Sequence, residues 1–267
     1  MKISVMLLCF AQALETGRYS LADAFACCAE AGAVGIETMD SMIAEVSDEE
    51  LKGLLTKYGL LAAAHDVSVE LVREDAAGRR RAIDDLAREL RRAGHMGAPI
   101  VMLVPGFLEP EQDWGQAFAH AVEGIREVLP LAAQLGVTVT AEQMGSTALC
   151  SNAQQLRKLA EAVNSPQFAL CFDTGNAMRT QEGPLETLPA LLPLVRHVHA
   201  KDHTVTAEGR RKDVPLGRGR VPLAEIYRLL EAGGYQGYLS VEHMLPADDP
   251  LPDLRTCISY LRPLIGN

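Results

Sequence analysis

The 267 residues, 48% of them hydrophobic, are enough for one large core and match the usual size of a single α/β barrel. A formal net charge of -10 argues against a nucleic-acid partner, because proteins that grip phosphate backbones present an excess of Lys and Arg. The six cysteines are scattered with no C-x-x-C pair, and no apolar run approaches about 18 residues, so the chain reads as a reduced cytoplasmic protein with no disulfide scaffold and no membrane span.

In chain order, Met1–Ala13 opens with a lysine and a short apolar stretch, but Glu15 and Arg18 follow without a small-residue cleavage pattern. The segment reads as a first core strand rather than a signal peptide. From there, short apolar or β-branched runs alternate with longer amphipathic segments to the end of the chain. The strand candidates are 3–8, 34–37, 60–65, 100–104, 137–142, 168–172, 195–200 and 238–242. Helix candidates fall between and after them, near 21–30, 48–57, 78–92, 114–134, 153–163, 184–192, 223–231 and 251–264. Gly32, Gly59, Gly136 and Gly233 stand where a left-handed residue ends a helix, Ser47 with Glu50 gives a capping-box spacing, and Pro222 opens the seventh helix.

Eight βα units without a linker or composition shift predict a (β/α)₈ TIM barrel in one domain spanning 1–267. An open doubly-wound sheet would carry a Gly-rich nucleotide fingerprint after its first strand, where this chain has Cys9-Phe10-Ala11-Gln12. In a barrel the chemistry sits where strands end. Those positions deliver Glu37, His65, Val104-Pro105-Gly106, Glu142, Asp173, His199 and Glu242. Glu142, Asp173, His199 and Glu242 come from four consecutive strands, and three carboxylates with one imidazole suit one divalent cation of the Mn, Mg, Co or Zn kind. Glu37 reads as a packing or capping residue within reach of the mouth. His65 reads as a histidine that orients a substrate hydroxyl, hydrogen-bonds a metal-ligating carboxylate, or is structural. Trp114 is placed either to roof the pocket or to start a helix.

The motifs Thr140-Ala141-Glu142-Gln143, Cys171-Phe172-Asp173-Thr174-Gly175-Asn176, Arg196-His197-Val198-His199-Ala200-Lys201-Asp202, Pro215-Leu216-Gly217-Arg218-Gly219 and Ser240-Val241-Glu242-His243 resemble the xylose isomerase-like TIM barrel superfamily. More narrowly they resemble its sugar phosphate isomerase/epimerase branch, with ketose 3-epimerases, hydroxypyruvate isomerases and inosose dehydratases. The resemblance implies that Glu142, Asp173, His199 and Glu242 bind the metal, and that Glu142 and Glu242 are also the acid/base pair. The branch commonly has a substrate-contacting histidine where this chain has Asn176, which cannot take up a charge near neutral pH.

The resulting expectation is a metal-dependent isomerase or epimerase of a ketose, ketose phosphate or short hydroxy-keto acid acting through an enediolate, with a dehydratase as the alternative. His65, Asn176, Lys201 and Arg218 are the candidate substrate contacts. Lys201 would steady an anionic intermediate. The basic run Arg210, Arg211, Lys212, Arg218, Arg220, with Gly217 and Gly219, would grip a substrate phosphate or carboxylate through backbone N–H groups, or merely turn the chain in solvent. The partner is a small sugar or keto acid, not nucleic acid or a membrane, and the family habit of pairing admits a homo-oligomer.

Overall fold

A computed structural model describes residues 1–180 and 182–265. Eight parallel strands close a barrel: β1 (Lys2–Met6), β2 (Gly35–Met39), β3 (Leu61–Val67), β4 (Ile100–Leu103), β5 (Thr138–Glu142), β6 (Phe168–Asp173), β7 (Val195–Ala200) and, after the antiparallel hairpin β8 (Asp202–Val205) and β9 (Arg211–Val214), β10 (Tyr238–Val241). The order around the ring is β1-β10-β7-β6-β5-β4-β3-β2, so every barrel strand pairs with its neighbours in the chain and β10 closes on β1.

The helices α1 (Ala11–Glu15), α2 (Leu21–Ala31), α3 (Asp48–Tyr58), α4 (Ala76–Met96), α5 (Trp114–Leu135), α6 (Ala153–Val163), α7 (Pro184–Leu191), α8 (Leu223–Ala232) and α9 (Leu251–Leu261) surround the barrel. Their apolar stripes, including Phe25, Leu86, Ile125, Leu159, Ile226 and Leu254, pack with outward strand residues such as Val5, Ile36, Val139, Leu170, Val198 and Val241 in one continuous core. Each strand is therefore buried on both faces, which is why the strands read as apolar runs instead of alternating patterns.

Helix ends agree with the sequence where local chemistry decides them. Gly32, Gly59 and Gly136 take positive φ at the C-caps of α2, α3 and α5. The left-handed turn expected at Gly233 falls instead on Gly234: Gly233 has φ -81°, still close to helical, while Gly234 has φ 75°. Ser47 caps α3 by accepting from the Glu50 amide, and a reciprocal box is made by Ser20 and Asp23 at α2. Pro222 precedes α8 as its N-cap. Trp114 starts α5; its indole donates to the Leu149 carbonyl at 3.0 Å and its ring stacks on Phe118, so it does not roof the pocket. All six cysteines are free and buried. Among the described residues no helix is long and apolar enough to cross a membrane.

Candidate metal centre and pocket

Side chains two apart on a strand share a face, and this parity selects what enters the barrel. On β7 the inward pair is His197 and His199, and both meet Glu37 of β2 across the interior. Glu37 Oε2 lies 2.9 Å from His197 Nε2 and Oε1 lies 3.1 Å from His199 Nε2. Glu37 is fully buried. Burial opposes its ionisation, but the two imidazoles outweigh that and hold its carboxyl well below the usual range. An ionised Glu37 accepts from His199 Nε2–H, and this leaves Nδ1 facing the barrel mouth.

There His199 Nδ1 stands 3.1 Å from Glu242 Oε2 and 3.4 Å from Glu142 Oε1. Asp173 completes the group from the end of β6. Its Oδ1 is tied down by the Gly175 and Asn176 amides at 2.6 and 2.8 Å, which turns Oδ2 toward the other three. Ligand atoms of Glu142, Asp173, His199 and Glu242 all lie within 4.8 Å of one another. Asp173 Oδ2, His199 Nδ1 and Glu242 Oε2 are buried without a hydrogen-bond partner. Converging unpartnered acceptors at such spacing require positive charge between them, so the donor set fits a divalent cation.

The electrostatics say the same. For His199, burial disfavours the charged ring, yet Cys171, Glu37 and Glu142 raise its pKa well above the ordinary imidazole value. Burial also raises Asp173, and Glu242 and Glu142 add to that against the opposing Lys201, leaving its carboxyl well above the usual range. Glu242 goes the other way. Burial is overcome by Lys201 and His199, and its carboxyl is held below the ordinary value.

The remaining predicted residues divide. Asn176 is buried at the centre, its Nδ2 donating to Glu142 Oε1 at 3.1 Å and to the Gln143 carbonyl at 3.3 Å, so it orients the β5 carboxylate. Lys201 is buried beside the quartet, its ammonium hydrogen-bonded to Glu242 Oε1 and 3.8 Å from Asp173 Oδ2. His65 departs from the expected substrate contact. It is fully buried with Nδ1 on Thr38 Oγ1 at 2.8 Å and Nε2 on Glu89 Oε2 at 3.1 Å, joining the outer wall of the barrel to α4. The inward residue of β3 is its neighbour Asp66, which the sequence reading missed.

Arg218 also departs from expectation. It is exposed, and the glycine loop around it already holds an anion of its own. Asp202 Oδ2 accepts from the Gly217 and Gly219 amides at 3.0 and 2.8 Å, and Oδ1 from the His203 and Val221 amides at 2.8 and 3.1 Å. That concavity has no room for a substrate phosphate.

Beside the quartet opens a cavity of about 300 Å³. Glu142, His199 and Glu242 form one wall; Asp66, Glu70 and a set of apolar side chains from the loops after β1 to β5 form the rest.

The candidate quartet sits at the strand ends of a closed (β/α)₈ barrel, the face on which barrel enzymes carry their chemistry. The chain belongs to the xylose isomerase-like TIM barrel family, whose pattern it matches over residues 25–264. It is 26% identical over 172 residues to SgbU of Haemophilus influenzae, provisionally assigned as an L-ribulose-5-phosphate 3-epimerase, covering 63% of this chain and 60% of that one. It is 23% identical over 163 residues to the inosose dehydratase of Geobacillus thermodenitrificans, covering 56% of this chain and 52% of that one. The chain thus spans between half and two thirds of the length of these relatives. Among solved structures, a D-psicose 3-epimerase crystallised in the presence of D-fructose superposes with a TM-score of 0.83 at 19% identity over 100% of both chains, which shows the fold.

Proposed function

We propose that this protein is a divalent-metal-dependent isomerase or epimerase of a ketose-type hydroxy-ketone. The observation that carries the reading is the placement of two carboxylates, Glu142 at the end of β5 and Glu242 after β10, on either side of Asp173 and His199 and both open to one cavity. Glu142, Asp173, His199 and Glu242 would hold the cation, which would supply electrophilic polarisation to a carbonyl and its neighbouring hydroxyl and so ease loss of the adjacent proton.

The protein's own groups handle that proton. One of the two carboxylates removes it from carbon and the other returns it, a reading supported by their origin on separate strands and by their both lining one cavity. Asn176 fixes the approach of Glu142 through its amide. Lys201, hydrogen-bonded to Glu242, holds its carboxylate in the ionised form. The apolar wall of the cavity excludes water from the carbanion face.

Similarity to inosose dehydratases supports a second reading in which the same carbanion expels a β-hydroxyl. Metal-reconstituted protein incubated in D₂O with a panel of ketoses and inososes separates the two. Solvent deuterium in a retained carbon skeleton, with a new epimer or isomer, is the expected result. Loss of water marks the dehydratase, and no exchange with any member of the panel rejects both.

A further inference from the structure

We infer that the barrel offers a second, deeper cation position, made by Glu142, Cys171 and His199, that takes a thiophilic divalent ion of the zinc or cadmium kind and competes with the harder ion of the quartet. The inference concerns the metal and not the substrate, so it stands apart from the choice between isomerase and dehydratase. Strand parity puts the thiol there. Cys171 and Asp173 are two apart on β6 and share a face, and Asp173 faces the barrel interior. Register then sets the depth: Glu142 of β5 is paired with Cys171, whereas Asp173 is paired with His199 of β7. The donor that β6 sets level with Glu142 is therefore the sulfur, and Asp173 stands one inward position closer to the mouth.

Ligand atoms of Glu142, Cys171 and His199 all lie within 4.8 Å of one another, the same spacing that groups the quartet. All three residues are buried, and His199 Nδ1 has no hydrogen-bond partner. The other cysteines do not share this setting. Cys9, Cys27, Cys28, Cys150 and Cys257 belong to the continuous apolar core, and Cys171 lies outside it. A buried thiol that faces a carboxylate and an imidazole has the surroundings of a metal ligand and not of a small hydrophobe.

One oxygen, one sulfur and one nitrogen from the protein, completed by a water, make a tetrahedral zinc site. Glu142 and His199 both line the cavity, so an ion and its water can reach the cluster from there. Sulfur favours Zn²⁺ and Cd²⁺ over Mn²⁺ and Mg²⁺, whose demand for oxygen is met by Asp173 and Glu242 instead. Coordination replaces the S–H bond of Cys171 with a metal–sulfur bond and releases the proton to solvent. Because Glu142 and His199 belong to both groups, an ion seated on the sulfur withdraws two of the quartet's four donors and leaves Asp173 and Glu242 with Lys201 alone. Cys171 is thereby the residue that sorts soft from hard ions.

The test loads the metal-free full chain with one equivalent of Zn²⁺ and reads the metal's neighbours by X-ray absorption; one sulfur at about 2.3 Å is expected. Cd²⁺ in its place should give a sulfur-to-metal charge-transfer band in the ultraviolet. Cys171→Ser and Cys171→Ala should abolish that band. Each should lower Zn²⁺ affinity by about a hundredfold or more, beyond the loss typical of a residue that only orients a ligand, while Mn²⁺ affinity by titration calorimetry stays unchanged. Zinc with nitrogen and oxygen neighbours only overturns the inference, and this measurement needs no variant. A band that survives in both variants overturns it too, since the sulfur is then another cysteine's. Equal losses of Zn²⁺ and Mn²⁺ affinity would mark Cys171 as a packing residue and overturn it as well. None of these results touches the isomerase reading, which Mn²⁺-loaded protein tests by deuterium exchange. Sulfur-bound zinc in a protein that exchanges no ketose proton would reject that reading and leave this inference standing.

Discussion

Glu37 and His199, on opposite sides of the barrel interior, are joined by a 3.1 Å contact between Oε1 and Nε2, and that contact decides which ring nitrogen of His199 faces the mouth. Glu37→Gln keeps the shape but removes the charge, and its single amide oxygen cannot serve both His197 and His199. Metal affinity should fall by about 10–100-fold, as for other partners that orient a ligating histidine. Isothermal titration with Mn²⁺ or Co²⁺ measures this, and a variant with undiminished affinity would show that His199 is oriented by something else.

Glu242 and Lys201 form a buried pair, so the two residues predict a non-additive result. Glu242→Gln should lower turnover by about 10²–10⁴-fold at saturating metal and destabilise the fold by about 3–5 kcal/mol, because the Lys201 ammonium is left buried with Asp173 3.8 Å away as its remaining partner. Adding Lys201→Met removes the stranded charge. The double variant should be more stable than Glu242→Gln alone, although no more active, and urea denaturation of the four proteins in the cycle measures the difference.

His65 separates a structural role from a substrate role. Its ring spans Thr38 and Glu89, so His65→Leu should cost about 1–3 kcal/mol through the unsatisfied Glu89 carboxylate and leave KM unchanged. The pH dependence has a definite sign. Burial opposes ionisation of Glu89, but His65 and Arg88 depress its pKa below the ordinary 4.5. A depressed carboxyl contributes stability that is present above the unfolded value and lost as pH falls through the lower folded value. The gap in stability between wild type and His65→Leu should therefore be full at neutral pH and shrink below about pH 4. A raised KM with unchanged stability would return His65 to the substrate site.

The fold and the quartet were legible because each rests on a pattern with a short range. Apolar runs spaced by amphipathic helices count the strands, and a strand's last residue is readable when the run ends in Glu, Asp or His, as at Glu142 and Asp173. What escaped depended on parity or on distant pairing. The segment Ala62-Ala63-Ala64-His65 is buried along both faces of its strand, so composition does not say which of His65 and Asp66 points inward. Register also shifts between Ile36 and Glu37 against β3, an irregularity beside the very residue that holds two histidines from β7. Asp202 closes on amides 15 and 17 residues away, a loop closure no local motif announces.

That closure makes the last prediction. Asp202 accepts from four backbone amides, at His203, Gly217, Gly219 and Val221, and so occupies a concavity of the kind that binds phosphate in other barrels. Asp202→Ala should lower stability by about 2–4 kcal/mol, since the amides lose a charged acceptor in a partly buried place. It should also create a site that wild type lacks. Inorganic phosphate or sulfate at millimolar concentration should raise the Tm of Asp202→Ala and not that of wild type, because the anion replaces the missing carboxylate. Asp202→Asn, which keeps one acceptor oxygen, should fall between them in both measurements. A wild-type response equal to that of Asp202→Ala would mean that the loop binds anions with its own aspartate in place, and that the carboxylate does not fill it.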